Sequence, residues 1–176
     1  MNYCKRCLQP DTRPNSKFTP ECICPACDYF ERLQYVDWQE RYEILQDLLV
    51  QYKKKRRGKH RFDCIIGVSG GKDSSRQALW VRDKLGLNPL LACLSYPPEQ
   101  VTERGTNNIS NLIEMGFDVV ISAPAPGTWQ RLMKLSFDKF TNWARSTELA
   151  LFSSVPQLAI HYDIPLILWG ENPGLQ

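Results

Sequence analysis

A chain of 176 residues, 43% of them hydrophobic and with a net charge of +3, is long enough for one globular domain and a small appendage. Charges or prolines interrupt each apolar stretch before it could span a bilayer, and the opening MNYCKRCLQP lacks the apolar segment of a secretory signal. These features predict a cytoplasmic protein without membrane contact, so its seven cysteines indicate metal binding or catalysis rather than disulfides.

Two C-x-x-C pairs stand in residues 1–28, a segment with too few aliphatic residues to build a core of its own. Sixteen residues separate the pairs, a spacing typical of zinc ribbons. Each pair can present two thiolates to one ion, and together they close a tetrahedral shell without an open position. We therefore predict a knuckle around a structural zinc, with an iron–sulfur cluster as the alternative and Cys22 as a bystander thiol. The predicted ligands are Cys4, Cys7, Cys24 and Cys27.

The next segment, 29–60, is predicted to be a connecting amphipathic helix. Asp37 and Glu40 have the spacing of a capping box, apolar residues then recur at helical intervals, and Gly58 would end the helix. The basic run KKKRRGKHR covers 53–61. Such a run is typical of a solvated helix end, and contact with nucleic acid or a phosphorylated substrate is the alternative.

From residue 61 onward, predicted strands and helices alternate. The strands are predicted at 62–69, 89–95, 117–123 and 164–170, and the helices at 72–86, 103–116, about 128–142 and about 147–162. Pro156 would kink the last helix or break it in two. This order predicts a doubly wound, parallel α/β sheet with right-handed crossovers. Because the chain stops just after the fourth strand, we expect 61–176 to be an incomplete domain, truncated at its C-terminus.

The glycine-rich loop SGGKDS, residues 69–74, follows the first strand and carries the strongest functional signal. A Walker A loop does not fit, because an aspartate follows the lysine and Ile66 stands where an earlier glycine is required. A nucleophile elbow does fit the letters GVSGG at 67–71, so a serine hydrolase is an alternative. That alternative needs a histidine later in the chain, and only His161 follows.

The same loop matches S-G-G-x-D-S, the pyrophosphate loop of ATP pyrophosphatases. The two glycines allow a tight turn, the following helix directs free amides at an anion, and the two serines add hydroxyl donors. Lys72 supplies positive charge for the β- and γ-phosphates, and Asp73 can hold a Mg²⁺ that bridges them. The sequence therefore predicts a site for ATP and magnesium formed by Ser69, Gly70, Gly71, Lys72, Asp73 and Ser74.

With these motifs the chain resembles the PP-loop (N-type) ATP pyrophosphatase superfamily, whose fold is adenine nucleotide alpha hydrolase-like. More closely, it resembles the N-acetyl sugar amidotransferases of bacterial surface-polysaccharide biosynthesis. The resemblance rests on YCKRCLQPDTRP, CICPAC, DCIIGVSGGKDS and LILWGENP. Residues from about 96 to 147 match only in the alternation of predicted strands and helices. Family members usually have a glycine near Cys22 and are longer than this chain, which agrees with truncation.

The resemblance implies an ATP-dependent amidotransferase of lipopolysaccharide, O-antigen or related glycan biosynthesis. ATP would be cleaved between its α- and β-phosphates, and AMP would be attached to the oxygen of a sugar acetamido group. Ammonia from a partner glutaminase subunit would then displace AMP and leave an acetamidino group. The acceptor would be a nucleotide-linked diacetamido sugar or uronic acid, or a related nonulosonic acid.

The resemblance also implies roles for residues at the strand ends. The adenine would be lined by Gly67, Val68, Leu94 and Ser95. Gly170, Glu171 and Asn172 follow the fourth strand, where ligands of open α/β sheets gather. Glu171 could assist magnesium or the incoming ammonia, so the predicted catalytic residues are Lys72, Asp73 and Glu171.

A tRNA thiolation enzyme of the same superfamily is the alternative function, and in it the basic run would hold RNA phosphates. Such enzymes typically present a C-x-x-C pair beyond the loop, whereas here only Cys64 and Cys93 follow Cys27. These two cysteines fall in predicted strands and are expected to be small core residues. A catalytically silent ATP-binding subunit is a third candidate, which an assay of pyrophosphate release would distinguish from the two enzymes.

Overall fold

The computed structural model of the chain describes residues 1–14, 16–55 and 61–170. These residues fall into two compact units, the first made of 1–14 and 16–55 and the second of 61–170. A search of the described residues finds no helix with the length and apolar character needed to cross a membrane. The predicted helix end at Gly58, most of the basic run and Glu171–Asn172 lie outside the described residues.

The first unit contains two α-helices, α1 (Pro25–Arg32) and α2 (Trp38–Lys55), joined through a 3-10 turn at Leu33–Tyr35. The predicted start of α2 is confirmed, because the Asp37 carboxylate accepts hydrogen bonds from the backbone amides of Gln39 and Glu40, both at 2.9 Å. The sequence analysis missed α1, which begins inside the second C-x-x-C pair. The signal for it was Pro25, since proline is favoured at the first position of a helix.

The second unit contains a four-stranded, wholly parallel sheet, so the predicted parallel α/β fold is confirmed. The strands are β1 (Cys64–Gly67), β2 (Pro89–Leu94), β3 (Val119–Ser122) and β4 (Ile167–Leu168), in the order β3-β2-β1-β4. The helices are α3 (Lys72–Asp83), α4 (Glu103–Glu114), α5 (Pro126–Phe140) and α6 (Arg145–His161). Of the two outcomes predicted for Pro156, a kink or a break, the break is wrong, because α6 runs through this residue. Its neighbours Val155 and Ala159 are buried in the core, and this packing outweighs the hydrogen bond that proline cannot make.

Strand β1 lies in the core of the second unit. Cys64, Ile65 and Ile66 have no exposed surface, as expected for a central parallel strand covered on both faces. Burial, reinforced by the nearby Asp63 carboxylate, raises the pKa of the Cys64 thiol to about 12, so this side chain is a neutral core residue as predicted. Cys93 is only partly buried, and its burial also raises its pKa.

Candidate active site and metal centre

Four cysteines of the first unit come together at one point. The sulfur atoms of Cys4, Cys7, Cys24 and Cys27 all lie within 4.8 Å of one another. A tetrahedral zinc with Zn–S bonds near 2.3 Å separates its sulfurs by about 3.8 Å, so this group has the dimensions of a single-ion site. The predicted ligand group is therefore assembled in the structure and could hold a metal ion.

Backbone amides stabilise the Cys4 sulfur as a thiolate, which is the form that binds a metal ion. The amides of Arg6 and Cys24 donate to the sulfur of Cys4 at 3.4 and 3.3 Å. Burial of Cys4 opposes its ionisation, but hydrogen bonds from the backbones of Cys24, Cys7 and Arg6 outweigh that effect and lower its pKa to about 6. Hydrogen bonding to Cys7, followed by burial, raises the pKa of Cys27 to about 12. A metal cation bound to this group would displace the remaining thiol protons.

Cys22 stands outside this group. Its thiol donates to the carbonyl oxygen of Tyr3 at 3.3 Å. Its backbone has a φ of 66°, in the left-handed region that glycine adopts most easily.

Hydrogen bonds to backbone carbonyls hold the loop between β1 and α3 in place. The amide of Val68 donates to the carbonyl of Ala92 at 2.8 Å, which ties the end of β1 to β2. Gly71 precedes α3 in an extended conformation and offers no side-chain cap, so the first amides of α3 remain available to an anion. The hydroxyl of Ser74 donates to the carbonyl of Gly71 at 3.2 Å. Ser74 therefore stabilises the loop, since its single hydroxyl proton is engaged there.

Gly70 fits against α4 with no space for a side chain. Its φ is 75°, and a Cβ built on it would lie 2.8 Å from the Cβ of Asn108 and 2.9 Å from the Asn108 carbonyl carbon. Both the backbone conformation and the close approach of α4 therefore require glycine at this position.

We expect Gly70→Ala to destabilise the second unit more than Gly116→Ala does. Gly116 has a φ of 89° but nothing within 4 Å of a built Cβ, so its substitution costs only the left-handed strain of about 1–2 kcal/mol. Gly70→Ala should add an overpacking cost of about 1–3 kcal/mol. Urea unfolding of the two variants measures the difference, and equal losses would show that α4 does not clamp the loop.

A cleft of about 540 Å³ opens at the carboxyl ends of β1, β2 and β4. Of the predicted ATP-binding residues, all but Gly70 and Ser95 line it. Gly170 also lines it, while Ser95 lines a neighbouring pocket with Tyr96 and Pro98. The structure thus brings the loop, the end of β2 and the residues after β4 to one cavity.

Two of the three predicted catalytic residues, Lys72 and Asp73, project into solvent at the mouth of the cleft, and the third, Glu171, lies outside the described residues. The Lys72 ammonium lies 2.8 and 3.0 Å from the two carboxylate oxygens of Asp73. Because the two side chains are 88% and 86% exposed, solvent screens their attraction strongly. Each is therefore available to a phosphate or a cation at little cost.

The serine hydrolase alternative finds no support in this geometry. Ser69 lines the cleft, but none of the described residues that line it is a histidine. His161 is the exposed last residue of α6 and packs edge-on against Tyr162, with the ring centroids 5.1 Å apart. Ser69 therefore has no base beside it in the part of the site that the structure describes.

Several residues that line the cleft were not predicted from the sequence, among them Gln77, Phe152 and Trp169. Gln77 is four residues after Asp73 and three after Ser74, so helical spacing places it on the same face of α3 as the loop. Trp169 stands in the motif LILWGENP but was assigned only to a strand. Phe152 is brought to the cleft by the packing of α6, and no sequence signal identified it.

No protein-family profile and no curated protein matched the chain. Its structure is similar to an NH3-dependent NAD synthetase from Campylobacter jejuni in complex with the nitrate ion, with a TM-score of 0.53 and 17% identity over 78% of this chain and 58% of that one.

Two weaker likenesses were found. An NMN synthetase from Francisella tularensis has a TM-score of 0.46 and 21% identity over 72% of this chain and 50% of that chain. A tRNA thiolase from Methanococcus maripaludis with its 4Fe–4S cluster has a TM-score of 0.44 and 15% identity over 98% of this chain and 55% of that chain.

The chain spans between half and three fifths of the length of the matched structures. At 17% identity the likeness to the NAD synthetase concerns the fold and not the substrate. The parallel sheet, the loop after β1 and this likeness show that the chain has the adenine nucleotide alpha hydrolase fold.

Proposed function

We propose that the chain carries the ATP-binding site of an enzyme that adenylates the acetamido group of a sugar and replaces its oxygen with ammonia. The uncapped start of α3 carries the proposal. This helix begins at Lys72, inside SGGKDS, and its first turn lines the cleft at the ends of β1 and β2. A PP-loop ATP pyrophosphatase requires this arrangement, because the cleft gives the triphosphate a row of amides and leaves room beside it for an acceptor.

The loop would stabilise the pyrophosphate that leaves ATP. Free amides at the start of α3 and the Lys72 ammonium would face the negative charge that builds up on the β-phosphate as its bond to the α-phosphorus breaks. Asp73 is the one carboxylate of the loop, and its exposed oxygens fit a hard cation. Magnesium bound there would neutralise part of the phosphate charge.

The proposed reaction has two steps. The acetamido oxygen attacks the α-phosphorus, pyrophosphate leaves, and an O-adenylated imidate forms. Ammonia then attacks the imidate carbon, and AMP leaves with the former amide oxygen. The product is an acetamidino sugar, and a proton is released. Adenylation is needed because an amide oxygen is by itself a poor leaving group.

For the four-cysteine group we propose a structural zinc. The sulfur spacing supports one ion, whereas a 4Fe–4S cluster attaches its four cysteines to separate irons and so needs a wider group. We further propose that a partner glutaminase subunit supplies the ammonia and that a nucleotide-linked diacetamido sugar is the acceptor. The reaction would take place in the cytoplasm, where ATP and nucleotide-linked sugars are found. It would be a step of glycan biosynthesis, such as that of O-antigen.

Transfer of isotopically labelled ammonium tests the proposed function. The chain is incubated with ATP, magnesium, labelled ammonium and a panel of nucleotide-linked acetamido sugars, and the sugars are analysed by mass spectrometry. In an enzyme that contains the complete domain, label should enter an acetamido sugar, with AMP formed in equal amount, and free ammonium removes the need for a glutaminase. AMP formation that responds to tRNA and not to any sugar would instead indicate the thiolation enzyme.

A further inference from the structure

Two partly exposed aromatic residues form one wall of the cleft. Phe152 lies on α6 and Trp169 directly follows β4, and their ring centroids are 5.7 Å apart with the planes tilted by 44°. The residues are 50% and 41% exposed, although both belong to a unit with a well-packed core. Paired aromatic rings in a concave, partly apolar site are typical of a surface that binds a ligand.

This wall lies on the side of β1 away from β2. The order β3-β2-β1-β4 places β4 and β2 on opposite sides of β1. A Cβ built on Gly67, the last residue of β1, would lie 3.0 Å from a methyl carbon of Val155 and 3.8 Å from the ring of Trp169. If the adenine lies toward Leu94 at the end of β2, the aromatic wall remains for a second substrate, next to the loop that would hold the phosphates.

Gln77 adds a polar group to the same part of the cleft. Its side-chain oxygen is buried and has no hydrogen-bond partner among the described residues. A Cβ built on Gly170 would lie 2.8 Å from this oxygen, so the oxygen lies directly beside the residue that follows Trp169. A buried acceptor without a donor is costly, and a ligand N–H would satisfy it.

We infer that Phe152, Trp169 and Gln77 form the acceptor subsite, an inference that rests on the proposed function. The apolar face of the sugar ring stacks on the two aromatic rings, and the acetamido N–H donates to the Gln77 oxygen. In a trans amide the N–H and carbonyl point in opposite directions, so holding the N–H leaves the carbonyl oxygen free to attack. An acetyl ester, which has no N–H, leaves Gln77 unpaired and is bound more weakly.

Saturation-transfer NMR with N-acetylglucosamine as the probe tests the aromatic wall. The whole chain, loaded with α,β-methylene-ATP and magnesium, should transfer saturation to the acetamido methyl group. Trp169→Ala and Phe152→Ala should each weaken the probe about threefold to tenfold. The matched controls Trp143→Ala and Phe137→Ala remove rings that are 57% and 55% exposed and lie outside the cleft, and they should change nothing. A wild-type chain that binds the nucleotide but not the probe, or equal losses in the controls, would overturn the inference.

A second comparison tests Gln77 as a positioning residue. Wild-type chain should prefer N-acetylglucosamine to an O-acetyl glucose, and Gln77→Met should abolish that preference while Gln157→Met, on the exposed face of α6, retains it. An unchanged preference in Gln77→Met would overturn the role of this residue. Affinity for the nucleotide is measured in parallel: loss of it in Trp169→Ala would assign the aromatic wall to adenine, whereas no nucleotide binding by wild-type chain would refute the proposed function itself.

Discussion

Asp73→Asn and Lys72→Ala should each lower the rate of pyrophosphate release about a hundredfold to a thousandfold, the usual effect of removing one stabilising group from a developing anion. The two side chains are the charged groups of the loop, and their high exposure weakens the ion pair between them, so phosphate and magnesium can compete for them at little cost. Steady-state assays of pyrophosphate, with saturating ATP and acceptor, measure the change.

Matched controls come from α5, where Asp138 and Lys139 form an adjacent, exposed pair of the same residue types. Asp138→Asn and Lys139→Ala should leave the rate within about twofold, since single exposed charges far from a site contribute little. Ser69→Ala should have a smaller effect than either loop substitution, because the backbone amides remain. If Ser69→Ala abolished activity and Asp73→Asn did not, the loop would be the nucleophile elbow of a serine hydrolase and not a pyrophosphate loop.

Cys24→Ser should release the metal and unfold the first unit, whereas Cys22→Ser should retain both metal and fold. Binding of a structural zinc contributes about 10–16 kcal/mol in small zinc domains, so loss of one ligand removes most of what holds such a segment together. Elemental analysis of the purified chain gives the metal content, and limited proteolysis of the first unit reports its folding. The Cys22 thiol bonds to the Tyr3 carbonyl rather than to the sulfur group, and serine can reproduce that bond.

The opposite pattern would show that the ligand group has been assigned wrongly. Metal lost in Cys22→Ser and kept in Cys24→Ser would move the site to another set of sulfurs. Iron and inorganic sulfide in place of zinc would show that the four cysteines hold an iron–sulfur cluster.

The parts of the site that are continuous in sequence could be predicted. Ile65 and Ile66 mark a buried strand, and the six loop residues combine the turn, the helix start and the charges that a triphosphate needs, so local chemistry was sufficient. The four-cysteine group could also be predicted from the sequence, because two C-x-x-C pairs with this spacing have few explanations other than a metal site.

The parts that depend on packing between distant segments could not be predicted. The continuity of α6 through Pro156 depends on burial of Val155 and Ala159 against the sheet, which local propensity does not contain. Phe152 and Trp169 are seventeen positions apart in the sequence, and only the fold brings their rings together. The clamp between Gly70 and Asn108 likewise joins a loop to a helix that follows the next strand.

Product analysis by phosphorus NMR tests the central claim, that the loop at 69–74 is a pyrophosphate loop, most directly. The chain is given ATP, magnesium, ammonium and the best acceptor from the labelling experiment, with Asp73→Asn as the blank. Cleavage between the α- and β-phosphates predicts equal amounts of AMP and pyrophosphate from the wild-type chain and neither from the blank. Formation of ADP and orthophosphate instead would show cleavage at the γ-phosphate and contradict the assignment.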